Sequence, residues 1–259
     1  MKFLFIEEKN HIVSITLNRP EALNAFHTPF ILEFLDAFSQ IGKNTDVRCV
    51  IIKSILATAF TAGGDIKEEA ALEGKNIKLF SKRGQAFVLA VEQCRVPVIL
   101  AAHGYTLGAG LELLLGCDIT VVSEDVKIGI PTITLGEIPG WGGIYRLREA
   151  IGRSNALNLL LTGKNISAKE AFRIGLVQYV VPKEALVAKA EEIAKKIASF
   201  APLAVESMKM AINGSDRYQK NIALDMESDL FEAVCKTEDR KEAIEAFLQK
   251  RSANAFYRK

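Results

Sequence analysis

The segment at residues 98–118 constrains the fold of this chain more than any other stretch. It opens with five consecutive apolar residues, a pattern typical of a fully buried strand. Small residues follow at positions 108–110, and a leucine-rich helical pattern begins after them. Glu112 is the only charged residue in the run at 111–115. The sequence therefore predicts a buried strand, a tight turn and a helix that carries one isolated carboxylate.

This turn and this carboxylate together suggest a reaction centre. The small residues at 108–110 leave backbone N–H groups exposed at a helix start, where they can stabilise a developing negative charge. Leucine neighbours remove water from Glu112, which favours the neutral carboxyl and raises its pKa. The same stretch is also compatible with a close-packed turn whose glutamate faces solvent. Only the rest of the chain can decide between these two interpretations.

Composition and charge are those of an ordinary globular chain. The 259 residues are 49% apolar and 25% charged, and a net charge of +2 gives no reason to expect a nucleic-acid or membrane partner. The four cysteines are scattered without metal-ligand spacing, so we expect reduced thiols in a cytoplasmic protein. The three histidines are far apart and predict no metal site. Glu7 and Glu8 interrupt the first apolar stretch, which argues against a signal peptide, and no apolar run is long enough to span a bilayer.

Hydrophobic periodicity predicts alternating strands and helices over residues 1–200. Apolar and polar residues alternate at 12–17, as in a half-buried strand, and Thr28 with Pro29 marks a helix start. A polar, mobile connection is expected as far as Ser81. Further predicted strands lie at 49–52, 98–102, 119–122 and 176–181, and further predicted helices at 85–94, 168–175 and 183–200. The alternation favours an α/β fold with substantial parallel sheet.

Residues 201–259 have a purely helical pattern. The predicted helices lie at 203–213, 222–235 and 239–251. We therefore expect a core at residues 1–200 and a C-terminal helical subdomain at residues 201–259.

Two further stretches carry candidate functional residues. In the Ala-Gly-Gly-Asp turn, Gly63 and Gly64 permit positive φ or close backbone approach, and Asp65 can cap the helix that follows. The glycine- and proline-rich stretch at 127–146 indicates a structured loop that enters a helix, and it contains Glu137 with few charges nearby.

Six stretches, in the order in which they occur, resemble the crotonase family, the enoyl-CoA hydratase/isomerase superfamily. They are LNRPEALNAF at 17–26, AFTAGGDIKE at 59–68, HGYTLGAGLELLLGCDI at 103–119, LGEIPGWGGIYRL at 135–147, LTGKNISAKEAFRIGLVQYVV at 161–181 and TEDRKEAIEAFLQKR at 237–251. The resemblance covers almost the full length of the chain. It implies a spiral of repeated ββα units and a C-terminal helical region that forms homotrimers, which often pair into hexamers.

The resemblance also implies a substrate and a set of site residues. The substrate is an acyl-CoA thioester, so CoA arrives as part of it and no metal or redox cofactor is expected. The backbone amides of Gly64 and Ala109 are implied to bind the thioester oxygen as an enolate, and Glu112 matches the catalytic glutamate that handles water. Positions matching CoA contacts are Ala25, Ala62, Asp65, Ile66, Lys67, Phe247 and Lys250. The pattern around Lys250 is equally typical of a solvent-exposed helix lysine without a binding role.

The sequence departs from the hydratase pattern at one catalytic position. The second glutamate of the family is replaced by Thr132, whose hydroxyl can bind water but exchanges protons poorly near neutral pH. Glu137 could supply the missing carboxylate from another wall of the site. It could equally be a loop residue paired with a surface lysine or arginine.

Three other residues have modest interpretations. His103 is expected to be a hydrogen-bonded structural histidine, and Asp118 to tie the helix end to a neighbouring loop. Trp141 fits either the wall of an acyl pocket or the core.

The leading functional hypothesis is a hydratase that adds water to a 2-enoyl-CoA or dienoyl-CoA thioester. An enoyl-CoA isomerase that works with a single carboxylate is one alternative. A non-catalytic trimer that binds acyl-CoA is another, although a buried Glu112 without a use would be costly.

Overall fold

The computed structural model describes residues 1–215 and 220–258. The strands are β1 (Leu4–Lys9), β2 (Ile12–Leu17), β3 (Cys49–Ser54), β4 (Ala59–Thr61), β5 (Val98–Ala102), β6 (Tyr105–Leu107), β7 (Ile119–Ser123), β8 (Lys127–Gly129), β9 (Ile166–Ser167) and β10 (Tyr179–Val181). The helices are α1 (Thr28–Lys43), α2 (Ile66–Ala70), α3 (Lys75–Glu92), α4 (Ala109–Gly116), α5 (Gly143–Thr162), α6 (Ala168–Arg173), α7 (Leu186–Ala198), α8 (Pro202–Ser215), α9 (Lys220–Cys235) and α10 (Glu238–Leu248).

The strands form two sheets. The larger sheet has the order β1-β2-β3-β5-β7-β10, and only its β1–β2 pair is antiparallel. The smaller sheet has the order β4-β6-β8-β9, and its β4–β6 and β6–β8 pairs are parallel. The predicted α/β class with substantial parallel sheet is confirmed.

The two sheets are generated by a repeated unit. Strands β3, β5 and β7 of the larger sheet are each followed by a three-residue strand of the smaller sheet, and then by helical structure. This succession is the spiral of ββα units that the family resemblance implied. Every turn of the spiral brings the end of a short strand and the start of a helix to the same region of the molecule.

The core lies between the sheets and the helices that cover them. Phenylalanine rings of α1 and α3 pack together, with Phe34 and Phe87 centroids 4.2 Å apart. A second apolar cluster lies on the other face of the larger sheet, where α7 packs with Leu186, Ala190 and Ala194. Burial on both faces explains why β3 and β5 are continuous apolar runs rather than alternating ones.

The C-terminal helices attach to this core through buried ion pairs on α8. Lys209 donates from Nζ to Asp118 Oδ2 at 2.6 Å, and Glu206 pairs with Arg95. Helix α9 buries none of its described residues within this chain.

Two sequence predictions need correction. Helix α3 begins at Lys75, inside the stretch expected to be a mobile connection up to Ser81. Its first turns are polar, and Phe80 is their only buried residue, so composition concealed the start of the helix. The strand predicted at 176–181 is shorter, because only Tyr179–Val181 pairs with β7, and the apolar Leu176 and Val177 are buried in the core without joining the sheet.

Candidate active site

Two glycine turns, one at Gly63–Gly64 and one at Gly108–Gly110, lie beside a cavity of about 770 Å³. Helix α4 and the loop before α5 form other parts of its wall. Its wall is mainly apolar, with Leu72, Phe80 and Trp141 among its residues. Three acidic side chains and no basic one line it within the described residues, and they are Glu69, Glu112 and Glu137. The cavity thus combines a dry lining with several carboxyl groups.

The two glycine turns lie directly against each other. A Cβ on Gly63, whose φ is +109°, would lie 2.8 Å from Leu107 O and 3.4 Å from Ala109 N. Only glycine fits there, because of both the positive φ and the close approach. The amides of Gly64 and Ala109 donate no hydrogen bond to any described residue, and both residues line the cavity. The two predicted oxyanion donors are therefore brought together with their N–H groups unused.

Side chains from neighbouring elements hold the first turn in this shape. Thr61 Oγ1 donates to Asn24 O at 2.8 Å and accepts from Gly63 N at 3.0 Å. Asp65 caps α2 by accepting from Lys67 N at 3.0 Å, and it pairs with Arg19 at 2.6 Å. These side-chain contacts preorganise the turn.

Glu112 lies in the first turn of α4 and is only 3% exposed. Its Oε1 accepts hydrogen bonds from Trp141 N at 2.9 Å and Gly143 N at 2.8 Å. Gly143 opens α5, so the carboxylate sits at a helix N-terminus, where partial positive charge favours it. A Cβ on Gly143 would lie 2.7 Å from Glu112 Cγ, which makes glycine necessary at this contact. The carboxyl group is therefore fixed through one oxygen.

Burial raises the pKa of Glu112 to about 7. The two backbone hydrogen bonds and the charge of Arg146 oppose this rise, and the charge of Glu69 adds to it. A carboxyl group with a pKa near neutrality is well matched to take a proton from water at physiological pH. The interpretation of Glu112 as a solvent-facing glutamate is wrong.

Trp141 belongs both to the core and to the wall of the cavity, the two alternatives that the sequence left open. It is 3% exposed and packs against Phe80 and Phe87, yet it also lines the cavity. A Cβ on Gly84 would lie 2.1 Å from the indole, so glycine in α3 makes room for the ring. Trp141 in this position delivers its own backbone N–H to Glu112.

The two candidates for the second proton-transfer position lie on the same wall. Thr132 is half-buried, and Glu137 N donates to its carbonyl oxygen at 3.1 Å. Glu137 is exposed at the rim of the cavity. No basic side chain in the described part of the chain pairs with Glu137, so the expected surface ion pair is absent there.

Only some of the positions predicted to contact CoA line the cavity. Ala62 and Ile66 line the cavity. The Asp65 side chain is occupied by its cap and its ion pair, and its backbone N–H donates to Phe26 O at 3.0 Å. The remaining positions lie outside the cavity lining, and they are Ala25, Lys67, Phe247 and Lys250.

His103 is the hydrogen-bonded structural histidine that was expected, whereas Asp118 ties the end of α4 to the start of β5 and to α8 rather than to a loop. His103 Nε2 lies 2.6 Å from Leu56 O, and burial lowers the pKa of its imidazole. Asp118 accepts from Val98 N at 2.7 Å and from Lys209. Neither lines the cavity.

Glu69 was missed by sequence reasoning. It lies in α2, where Glu69 N donates to Asp65 O at 2.9 Å and closes one helical turn. Helical side chains tilt toward the N-terminus, so Glu69 reaches back over the Gly64 turn. A glutamate one turn after a capping Asp65 was the available signal.

Comparison with known proteins finds relatives over almost the full length of the chain. The family model described as enoyl-CoA hydratase/isomerase matches residues 7–256. The short-chain-enoyl-CoA hydratase of Clostridium acetobutylicum is 37% identical over 253 residues, covering 98% of this chain and 97% of that protein. The crotonyl-CoA hydratase of Syntrophomonas wolfei is 36% identical, covering 97% and 96%. The crystal structure of an enoyl-CoA hydratase from Bacillus anthracis superposes with a TM-score of 0.95 at 36% identity, covering 99% and 100%.

An α/β spiral with paired amides and a buried glutamate defines a crotonase-type protein. The chain belongs to the enoyl-CoA hydratase/isomerase family, which confirms the resemblance in its motifs. The names of these relatives favour hydration over the isomerase and non-catalytic alternatives. Among the described helices, none combines the length and apolarity needed to cross a membrane.

Proposed function

We propose that this enzyme is a carbon–oxygen lyase that adds water across the C2–C3 double bond of 2-enoyl-CoA thioesters. The amides of Gly64 and Ala109 bind the thioester oxygen and stabilise the enolate. Each such donor contributes about 3 kcal/mol when the site is preorganised and dry. Glu112 takes a proton from the attacking water, and in the reverse direction it returns that proton to the leaving hydroxide.

The position of Glu112 is the observation that carries this proposal. One oxygen is held by Trp141 N and Gly143 N, and the side chain lines the same cavity as the two unused amides. This places a base with a pKa of about 7 beside an oxyanion site, without a competing basic side chain in the lining. A protein that only bound the thioester would not need this arrangement.

Thr132 is proposed to orient water rather than to move a proton. Its side chain lines the cavity, and a hydroxyl group can hold water or a substrate hydroxyl. Glu137 lies at the exposed rim, where it can contact the outer part of the acyl group. Protonation of C2 therefore needs a group other than Thr132.

The lining supports a short, uncharged acyl group as substrate. Glu137 at the rim would repel an acyl chain that ends in a carboxylate, and no basic residue of the lining would offset this repulsion. Relatives that act on short substrates by name include the enzymes of Clostridium acetobutylicum and Syntrophomonas wolfei. CoA is proposed to extend along Ala25, Ala62, Ile66 and Lys67, with the backbone of Asp65 between them. Phe247 and Lys250 would reach CoA from a neighbouring subunit.

The proposal also covers cofactors, oligomeric state and localisation. Addition of water to a conjugated thioester is acid–base chemistry, so we propose that it needs no metal or redox cofactor. We also propose a homotrimer, or a hexamer made of two trimers, in the cytoplasm. Exposed apolar side chains on the C-terminal helices, among them Phe231 and Phe247, support the assembly.

The test is a steady-state assay with crotonyl-CoA, in which hydration removes the conjugated thioester absorbance. A parallel reaction contains a 3-enoyl-CoA, where isomerisation would create that absorbance. We expect loss of absorbance with the first thioester and formation of the 3-hydroxyacyl product. If absorbance changed only with the 3-enoyl-CoA, and increased, the enzyme would be an isomerase and the proposed hydration would be wrong.

A further inference from the structure

Glu69 lines the cavity, and no described residue of the fold uses its carboxyl group. It is half-buried, and its carboxyl oxygens have no hydrogen bond or ion pair with any residue that the structure describes. Its neighbours differ in this respect. Glu68 accepts from Thr28 N at 2.7 Å, and Asp65 pairs with Arg19. Glu69 alone of these three acids lines the cavity.

The carboxyl group of Glu69 lies at the oxyanion turn. A Cβ on Gly64 would lie 2.3 Å from Glu69 Oε1 and 3.3 Å from its carboxyl carbon. Gly64 is the residue whose amide is proposed to bind the thioester oxygen. C2, the atom that must accept a proton, lies two bonds from that oxygen, so a carboxyl group at the Gly64 turn is on the side of the site from which C2 can be reached. Glu112 approaches the same space from α4, and the charge of Glu69 raises the pKa of Glu112.

Given the proposed hydration, we propose that Glu69 is the second proton-transfer group of this site and donates its carboxyl proton to C2. Glu112 removes a proton from water as the water oxygen bonds to C3. The π electrons of the C2–C3 bond move to C2 and form the enolate held by Gly64 and Ala109. C2 then takes the proton of Glu69. One proton passes through solvent from Glu112 to Glu69 and restores both groups.

The charges around Glu69 favour this role. Burial raises its pKa, and the charges of Glu137, Asp65 and Glu68 add to the rise. A carboxyl group with a raised pKa holds its proton to a higher pH than an ordinary glutamate, which suits it as the acid that protonates an enolate. Glu69 thereby replaces the function that Thr132 cannot perform, from a different element of the fold. Glu137 is exposed, which makes it the weaker candidate for the same step.

The test compares Glu69→Gln with Glu73→Gln, a matched change at an exposed position outside the cavity. Hydration of crotonyl-CoA is measured as kcat and KM, and affinity for butyryl-CoA is measured by calorimetry. Exchange of the C2 hydrogens of butyryl-CoA in heavy water reports proton transfer at C2 without water addition. Glu112→Gln is included in the exchange experiment.

We expect Glu69→Gln to lower kcat by roughly 10²- to 10⁴-fold. Its KM and butyryl-CoA affinity should stay near those of the wild type, and Glu73→Gln should match the wild type throughout. C2 exchange should be lost in Glu69→Gln and retained in Glu112→Gln.

Two results would overturn the role of Glu69 while leaving hydration intact. One is a kcat within about threefold of the wild type in Glu69→Gln. The other is C2 exchange that survives in Glu69→Gln but disappears in Glu112→Gln, because Glu112 would then transfer both protons. A wild type that neither hydrates crotonyl-CoA nor exchanges C2 hydrogens would instead contradict the proposed function itself.

Discussion

At the scale of single residues, Glu112 shows how function opposes stability. Its carboxyl group has a pKa of about 7 in the folded chain, because burial disfavours its charge, against an ordinary value of 4.5. The folded state therefore binds this proton more tightly than the unfolded state. The free energy of unfolding must therefore fall as pH rises from the ordinary pKa of 4.5 through the folded-state pKa of about 7.

Glu112→Gln should remove this pH-dependent loss of stability. Gln can still accept the hydrogen bonds from Trp141 N and Gly143 N, but it never ionises. Between pH 5 and pH 8, the variant should gain roughly 2 to 3 kcal/mol of unfolding free energy relative to the wild type. Urea unfolding at both pH values measures this difference, with exposed Glu73→Gln as the control. Parallel pH curves for Glu112→Gln and the wild type would contradict the assigned cause.

Gly143 makes a second prediction, because its lack of a side chain lets Glu112 reach the α5 amides. Gly143→Ala places a Cβ 2.7 Å from Glu112 Cγ and must displace the carboxylate. We expect about 1 to 3 kcal/mol of destabilisation and at least a tenfold loss of kcat. Gly42→Ala in α1, where a Cβ meets nothing within 4 Å, should be neutral or stabilising. Wild-type kcat in Gly143→Ala would show that the position of Glu112 is unimportant.

Which residues could be predicted depends on whether their role is local. Gly63 and Gly108 were recognisable because glycine at a turn has a backbone reason, and Glu112 because leucines surround it in sequence. Glu69 offered only the weak signal of a glutamate one turn after the capping Asp65, because its place at the cavity depends on α2 turning back over Gly64. The pKa of about 7 for Glu112 also needed the α5 amides, which come from a loop that sequence periodicity does not place.

At the scale of helices and strands, the length of each element decided whether hydrophobic periodicity could predict it. The strand at Ile12–Leu17 and the start of α1 at Thr28 were predicted correctly, because several residues repeat one pattern there. Strands β4, β6 and β8 have three residues each, too few to show alternation. These short strands form the smaller sheet, so the ββα repeat followed from the family resemblance and not from periodicity.

Helix α8 is joined to the core by a buried ammonium group. Lys209 Nζ donates to Asp118 Oδ2, Val96 O and Val91 O at 2.6, 3.1 and 3.3 Å. Lys209→Met leaves the Asp118 carboxylate without its cation and should destabilise the chain by about 3 kcal/mol. Lys195→Met removes an exposed pair with Glu191 and should change stability by less than about 0.5 kcal/mol. Equal effects of the two changes in chemical denaturation would exclude a special role for the buried pair.

At the scale of the whole molecule, the C-terminal helices carry apolar surface that one chain leaves uncovered. Phe231 on α9 is 71% exposed and Phe247 on α10 is 81% exposed. Burial of such rings stabilises an interface, so we expect a particle of three or six times the 28.4 kDa chain mass in light scattering. Phe231→Glu should shift the particle toward single chains. A wild-type mass of one chain would contradict the proposed trimer.

The most direct test of the central claim is proton NMR of crotonyl-CoA with the enzyme in heavy water. Wild-type enzyme should produce 3-hydroxybutyryl-CoA with deuterium at C2, because water supplies both the hydroxyl group and the proton. Glu112→Gln should slow this reaction by roughly 10²-fold or more while the thioester still binds. Unchanged crotonyl-CoA with the wild type, or a Glu112→Gln variant that hydrates at the wild-type rate, would contradict the account.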